Sequence, residues 1–273
     1  MTPKLKTAVV TGAAQGLGLA TDSMLAQRAF RVVLLDVQAL DGQLARLRAA
    51  GLRVDGISGD VSSESFVQQV ATQVSNECGA ADVLVNNAGI SMIAPAEATT
   101  AARWQQVMNV NLLGPFLLCR YLGAQMLQRR SGSIVNVASV AGLAGVSHRS
   151  AYCASKHGLI GLTRALAAEW GGRGVRVNAV CPSWIKTEMD TADRGSGAYS
   201  DRDIVNRAPL ARFAQPDDVA AAIAFLADAE KSGFVNGIAL PVDGGWIADA
   251  SWEALRMRTR ARHATLVRHD DPS

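Results

Sequence analysis

The sequence predicts an α/β protein, a single domain built on a doubly wound parallel sheet of about seven strands. Three observations carry that expectation. Short apolar runs alternate with longer segments of helical apolar spacing, a glycine-rich turn directly follows the first run, and no linker, repeat or low-complexity stretch divides the 273 residues. Apolar strands in succession need helical crossovers, and crossovers give a parallel sheet covered on both faces.

The elements follow in order. A strand is read at 7–11 (TAVVT), a helix at 16–28 and a second apolar strand at 31–36, ending in Asp36. Further strands are read at 53–58, 82–86, 133–138, 175–180 and 238–242, each preceded by a helical pattern. Two stretches leave this rhythm. Residues 183–215, rich in charge and small side chains, read as a mobile excursion. After Gly245, Ser251-Trp252-Glu253 resembles a helix start, and arginines recur at 256, 258, 260 and 262. The main domain is therefore expected over 1–247, with a basic, helical extension over 248–273.

Composition excludes several classes. The net charge is +3, and residues 253–273 hold five arginines against three carboxylates, so the rest is close to neutral and offers no basic surface for nucleic acid. The start meets Thr11-Gly12 too soon for a signal peptide or membrane span, which points to a cytoplasmic protein. Cys78, Cys119, Cys153 and Cys181 are scattered, without ligand spacing, so no metal site is expected.

The turn Thr11-Gly12-Ala13-Ala14-Gln15-Gly16-Leu17-Gly18 lies between a strand and a helix. Glycines there allow a tight turn and close approach of backbone to a pyrophosphate, while the helix start offers amides and a positive dipole. Asp36 ends the second strand about twenty residues on, where a carboxylate accepts hydrogen bonds from both adenosine ribose hydroxyls and repels a 2′-phosphate. The loop also lacks a cation, so NAD(H) is favoured over NADP(H). The bland alternative for Asp36 is a cap of the next helix. Asp60-Val61, ending the third strand, is a candidate adenine contact or, again, a helix cap.

Tyr152 and Lys156 stand four apart in YCASK, on one face of a helix. A cation beside a phenol favours phenolate, which makes a base; an exposed pair without chemistry has the same spacing. Ser139 lies thirteen residues upstream, after the fifth strand.

With Thr11 to Gly18, Asn86-Asn87-Ala88-Gly89, Ser139 and Tyr152-x-x-x-Lys156 in this order, the chain resembles the short-chain dehydrogenases/reductases over about residues 5–246. That resemblance implies a Rossmann domain binding cofactor and substrate together, in a homotetramer or dimer. It makes Tyr152 the general acid/base, Lys156 its cationic partner and a ligand of the nicotinamide ribose, and Ser139 the hydrogen-bond donor to the substrate oxygen. Pro115 cannot bond the carbonyl of Asn111 and crowds it; the resemblance places a water-mediated proton relay at Asn111, with Asn109 the competitor and a plain kink the alternative. Gly12, Gln15, Gly16, Leu17, Gly18, Asp36, Asp60, Val61, Asn87, Tyr152, Lys156, Ile185 and Thr187 are the implied cofactor residues. Where the family commonly has Pro-Gly this chain has Pro182-Ser183, which puts the glycine's backbone conformation in question.

Arg149 and Trp184 are candidate substrate contacts beside Ser139. The tail arginines Arg256 and Arg260 invite an anionic-substrate role, against a solvated helix end. The expected activity is hydride transfer between NAD(H) and a secondary alcohol or ketone on a small polyol, sugar or hydroxy acid. A 3-oxoacyl-thioester or steroid-type ketone reductase and a non-catalytic NAD(H) sensor are the alternatives, the latter free to lose the tyrosine or lysine. A nucleotide-sugar epimerase or dehydratase would need a shorter glycine loop and a larger C-terminal domain.

Overall fold

The computed structural model describes residues 5–194, 197 and 199–269. Seven strands, β1 (Thr7–Thr11), β2 (Arg31–Asp36), β3 (Val54–Ser58), β4 (Val83–Asn86), β5 (Gly132–Val137), β6 (Val175–Pro182) and β7 (Ala239–Val242), form one sheet in the order β3-β2-β1-β4-β5-β6-β7. Every pairing is parallel. The helices are α1 (Gly16–Gln27), α2 (Asp41–Ala49), α3 (Glu64–Cys78), α4 (Ala101–Met108), α5 (Gly114–Arg129), α6 (Ser150–Trp170), α7 (Glu188–Arg194), α8 (Asp201–Arg207), α9 (Pro216–Ala227), α10 (Ala229–Ser232) and α11 (Glu253–His269).

Side chains alternate across a strand, and this sheet buries both alternations. Ala8 and Val10 of β1 and Leu34 of β2 pack with Leu17 and Leu25 of α1 and Ile223 of α9. Val9, Val33 and Leu35 turn to the other face, against Val70 of α3 and Leu118 and Leu122 of α5. Strand order reverses between β1 and β4, so the loops after these strands diverge and open a crevice at the C-terminal edge, where ligands of such sheets bind.

The seven expected strands are all present, with bounds shifted by a residue or two. The excursion at 183–215 is more ordered than its composition suggests: it contains α7 and α8, and Ile185 pairs with Ala214 in a short parallel bridge. Ser200 and Asp203 form a capping box at the start of α8, which explains a helix in so polar a stretch. Part of the Arg194-Gly195-Ser196-Gly197 run lies outside the described residues. The tail helix begins where Ser251-Trp252-Glu253 indicated. Among the described residues no helix is long and apolar enough to cross a membrane, and no His, Cys, Asp and Glu cluster is arranged for a metal.

Candidate active site

A cavity of about 570 Å³ opens at the C-terminal edge of the sheet. At one end it is lined by Gly12, Gln15, Gly16, Asp36, Asp60 and Val61. Gly12 has φ +65°, and a Cβ there would meet Ala88 Cα and Asn87 Nδ2 at 2.9 Å; at Gly18 it would collide with the Gly12 carbonyl oxygen. Only glycine allows this turn and this approach of α1 to it. Among the described residues no side chain caps α1, whose first-turn amides remain available to an anion. Asn87 supports the turn from β4 by donating to the carbonyls of Thr11 and Gly12 at 2.9 and 3.1 Å.

Asp36 is buried and accepts the amides of Ala14 and Gln38, each at 2.9 Å, one on each oxygen. It does not cap α2, whose N-cap is Leu40. A carboxylate has about four acceptor sites, so two amides leave room for a diol. Asp60 accepts the amide and hydroxyl of Ser62, while Ser63 caps α3. Among the described residues no lysine or arginine lines this end.

At the other end α6 brings Tyr152 and Lys156 beneath Ser139, which follows β5. The Lys156 ammonium lies 5.6 Å from the Tyr152 ring centroid and donates to the Val137 carbonyl at 2.8 Å. Burial pushes this ammonium down to about 8. Tyr152 is pushed up, because burial outweighs the opposing pull of the Ser139 hydroxyl and the Arg149 charge. Burial of the ring thus opposes the phenolate that a neighbouring cation favours. A further positive charge beside the ring would favour the phenolate.

Behind Lys156 the backbone widens into a single π turn, Asn109–Leu113, just before Pro115. Such bulges are frequent at functional sites, and proline, lacking an N–H, cannot bond the carbonyl four residues back, that of Asn111. The Asn111 side chain is held by the Ile90 backbone and donates to Ser155. A Cβ on Gly89 would lie 3.3 Å from Asn111 Oδ1 and 3.6 Å from Lys156 Nζ, so the two flank the same glycine. Asn109 instead bonds Gln105 at the surface.

The far wall is aromatic. Trp184 stacks on Trp246 with centroids 4.5 Å apart and meets Tyr199 edge-on at 6.1 Å. Arg149 donates to Ser91 Oγ at 2.7 Å and to Asp193 Oδ2 at 2.8 Å, and Ser91 donates to the same carboxylate at 3.0 Å.

The family model that matches residues 12–247 is described as enoyl-(acyl carrier protein) reductase. The chain is 40% identical over 243 residues to the D-threitol dehydrogenase of Mycolicibacterium smegmatis, covering 88% of this chain and 92% of that protein. It is 39% identical over 253 residues to a short-chain dehydrogenase/reductase of Armillaria gallica, covering 89% and 97%. The chain belongs to the short-chain dehydrogenase/reductase family. A solved family structure, the gluconate 5-dehydrogenase of Burkholderia cenocepacia in complex with NADP and tartrate, matches with a TM-score of 0.84 at 31% identity, covering 90% of this chain and 96% of that one.

The short-chain dehydrogenase/reductase set read from the sequence largely converges on one cavity. Gly12, Gln15, Gly16, Leu17, Asp36, Asp60, Val61, Asn87, Ser139, Arg149, Tyr152, Lys156, Trp184, Ile185 and Thr187 all line it. Gly18 and Asn111 stand behind its wall, one packing α1 on the turn and the other backing Lys156. Ser183 is absent from the positive-φ residues and its amide bonds the Val242 carbonyl, so its own backbone does not call for glycine.

Sequence reasoning missed Ser91, Asp193, Tyr199 and Trp246. The first three carried no motif signal. Trp246, directly after Asp243-Gly244-Gly245, could have been noted. It also misjudged the tail, where Arg256 is buried and bonds the carbonyl of Asn206 at 2.7 Å and Asp249 at 2.6 Å, while Arg260 bonds the carbonyls of Val205 and Ala208. These arginines meet the C-terminal carbonyls of α8, neither idling in solvent nor entering the cavity. His157 of α6 and, in part, Trp104 of α4 are exposed in the single chain.

Proposed function

We propose that this short-chain dehydrogenase/reductase oxidises a secondary alcohol on a small polyol, sugar or hydroxy acid, with NAD⁺ as the hydride acceptor. The observation that carries the reading is the convergence of Ser139, Tyr152 and Lys156 at one end of a cavity whose other end holds Asp36 and, among the described residues, no cation. A nicotinamide dinucleotide fits: Gly12 and Gly16 form a cradle that a Cβ would fill, α1 offers uncapped amides, and Asp36 keeps acceptor sites for a diol. When bound it supplies the hydride acceptor.

The residue roles follow in this reading. The Ser139 hydroxyl orients the alcohol, Tyr152 takes its proton, and Lys156 with the Asn111 carbonyl passes that proton toward solvent. Trp184 faces the substrate. Family members whose solved structures hold NADP leave the cofactor open; the buried Asp36 and the absence of a lysine or arginine beside it among the described residues support NAD(H). Four free cysteines accord with a cytoplasmic location, and the half-exposed Trp104, Leu113 and Phe116 accord with a homo-oligomer.

Initial rates with a panel of polyols, sugars and hydroxy acids, each with NAD⁺ and NADP⁺, test the proposal. Oxidation with NAD⁺ that falls by about 10³-fold or more in Tyr152→Phe is expected. Tight NAD⁺ binding without turnover of any alcohol would instead indicate a sensor.

A further inference from the structure

We propose that Asp193 selects against anionic substrates: paired with Arg149, it makes the substrate end of the cavity a site for a neutral, hydroxyl-rich alcohol. This rests on the dehydrogenase reading above and narrows it, removing the hydroxy acids.

Arg149 ends the loop that enters α6, and its neighbour His148 holds a left-handed φ of +60°. The arginine side chain is buried against Ser91, from the loop after β4, and Asp193, from α7. Its guanidinium carbon lies 5.8 Å from the Tyr152 ring centroid. An alcohol placed on Ser139 and Tyr152 therefore presents its next substituents to this cluster.

The charges there decide what those substituents can be. Among the described residues lining the cavity away from the glycine turn, Arg149 and Lys156 are the cations and Asp190 and Asp193 the carboxylates; Glu188 lies against Gly16 instead, and Asp190 accepts from the Tyr199 hydroxyl at 3.0 Å with the Lys186 ammonium 3.9 Å away. Lys156 is committed to the Val137 carbonyl and Arg149 to Asp193 and Ser91. A substrate carboxylate would have to displace Asp193 from Arg149 and then sit beside the negative charge it displaced. A hydroxyl group faces no such cost. It donates to the Asp193 carboxylate, accepts from an Arg149 N–H and leaves the ion pair intact. Trp184 and Tyr199, with Trp246 stacked on Trp184, offer flat apolar surface to the C–H face of a carbon chain or ring.

Asp193 also acts on Tyr152 at a distance. Its charge pushes the phenol up while that of Arg149 pulls it down. Neutralising Asp193 should therefore lower the pH at which Tyr152 becomes a base.

The test compares the wild type with Asp193→Asn on matched pairs, propane-1,2-diol with lactate and threitol with threonate, using NAD⁺. The wild type should favour the diols by roughly tenfold or more in kcat/KM, the scale of one unit charge nearby. In Asp193→Asn the hydroxy acids should gain about tenfold through KM, the diols should lose, and the acid limb of the diol profile should move to lower pH. NAD⁺ affinity reports folding, and Asp193→Ser is the second variant if Asp193→Asn fails to bind it. A wild type that prefers the hydroxy acids overturns the proposal. So does an equal loss on both members of each pair, with the acid limb unmoved. If the wild type binds NAD⁺ and oxidises no member of either pair but turns over other neutral alcohols, the charge comparison is made on those alcohols and their acids, and the same two results overturn it. If it oxidises no alcohol at all, the dehydrogenase reading has failed, and the role of Asp193 falls with it.

Discussion

Asp22 sits on the face of α1 that packs into the core, completely buried, and neither oxygen of its carboxyl has a hydrogen-bond partner among the described residues. Burial, reinforced by repulsion from Asp36, pushes its titration well above the usual carboxylate range. Replacement by alanine removes this group from a helix interior where alanine is the best helix former. Even as a neutral acid, an unsatisfied buried carboxyl costs about 1–3 kcal/mol. Around pH 5 Asp22→Ala should therefore be more stable than the wild type by roughly that amount, less a small cavity term.

The gain should grow with pH, and the sign is fixed by proton binding. Above about pH 4 the unfolded chain has released this proton while the folded chain holds it. The folded state then binds more protons, and unfolding free energy falls by up to about 1.4 kcal/mol per pH unit until the folded group itself ionises. The variant lacks this slope. Urea denaturation followed by tryptophan fluorescence at pH 5, 6, 7 and 8, at fixed protein concentration, measures the difference at each pH. A difference of about 2 kcal/mol would appear as about 4–8 °C in Tm for a chain of this size. A gap that stays constant from pH 5 to 8, or an alanine variant less stable at pH 8, would refute the assignment of Asp22 as a buried neutral acid.

Other consequences follow from the same geometry. Asp36→Ala, paired with Val37→Arg to supply a cation, should shift the ratio of kcat/KM for NAD⁺ to that for NADP⁺ by about 10²-fold or more toward NADP⁺, measured from initial rates. Lys156→Met should abolish turnover yet raise stability near pH 7 by roughly 2 kcal/mol, because burial holds the ammonium down to about 8. For a lysine with a lowered value the penalty is complete below pH 8 and fades between about 8 and 10.5, so the gap between variant and wild type should close over that range. Arg256→Ala should loosen α11 from α8. Through Arg207, whose guanidinium lies 5.0 Å over Trp246, that should disturb the Trp184 stack, raising KM for the alcohol several-fold and altering tryptophan emission, with NAD⁺ affinity unchanged.

How much of this was legible in the sequence depended on how local each feature is. The glycine turn, Asp36 and the Tyr152–Lys156 pair lie within single strand–turn–helix units, and their spacing carries their geometry. Alternating burial of Ala8, Val9 and Val10 could be expected from a continuous apolar run, since a parallel sheet needs both faces covered. Asp193, Ser91 and Arg149 come from segments up to 102 residues apart, and nothing in any one of them announces the other two. Arginines at 256 and 260 read as solvated because their charge is local information, whereas the α8 carbonyls they reach are set by tertiary packing. Asp22 escaped notice because an aspartate in an amphipathic helix is ordinarily on its wet face.

Asp22, Tyr152 and Lys156 have a common physical condition, since burial drives each toward its neutral form. Only two of them stand where that cost can be returned. In the proposed reaction, a positive charge arriving beside Tyr152 would favour the phenolate that burial disfavours, and a lysine held down to about 8 would exchange a proton at moderate pH, so desolvation there would tune the groups to the reaction. Asp22 faces the core beneath Asp36, and no step of hydride or proton transfer passes through it. The difference predicts opposite outcomes for removing each cost. Lys156→Met should exchange activity for stability, whereas Asp22→Ala should gain stability with kcat unchanged and NAD⁺ affinity altered by no more than about twofold, since only a screened repulsion on Asp36 is lost. Calorimetric unfolding and steady-state rates on both variants separate the two cases, and a large fall in kcat for Asp22→Ala would place that carboxyl in the machinery after all.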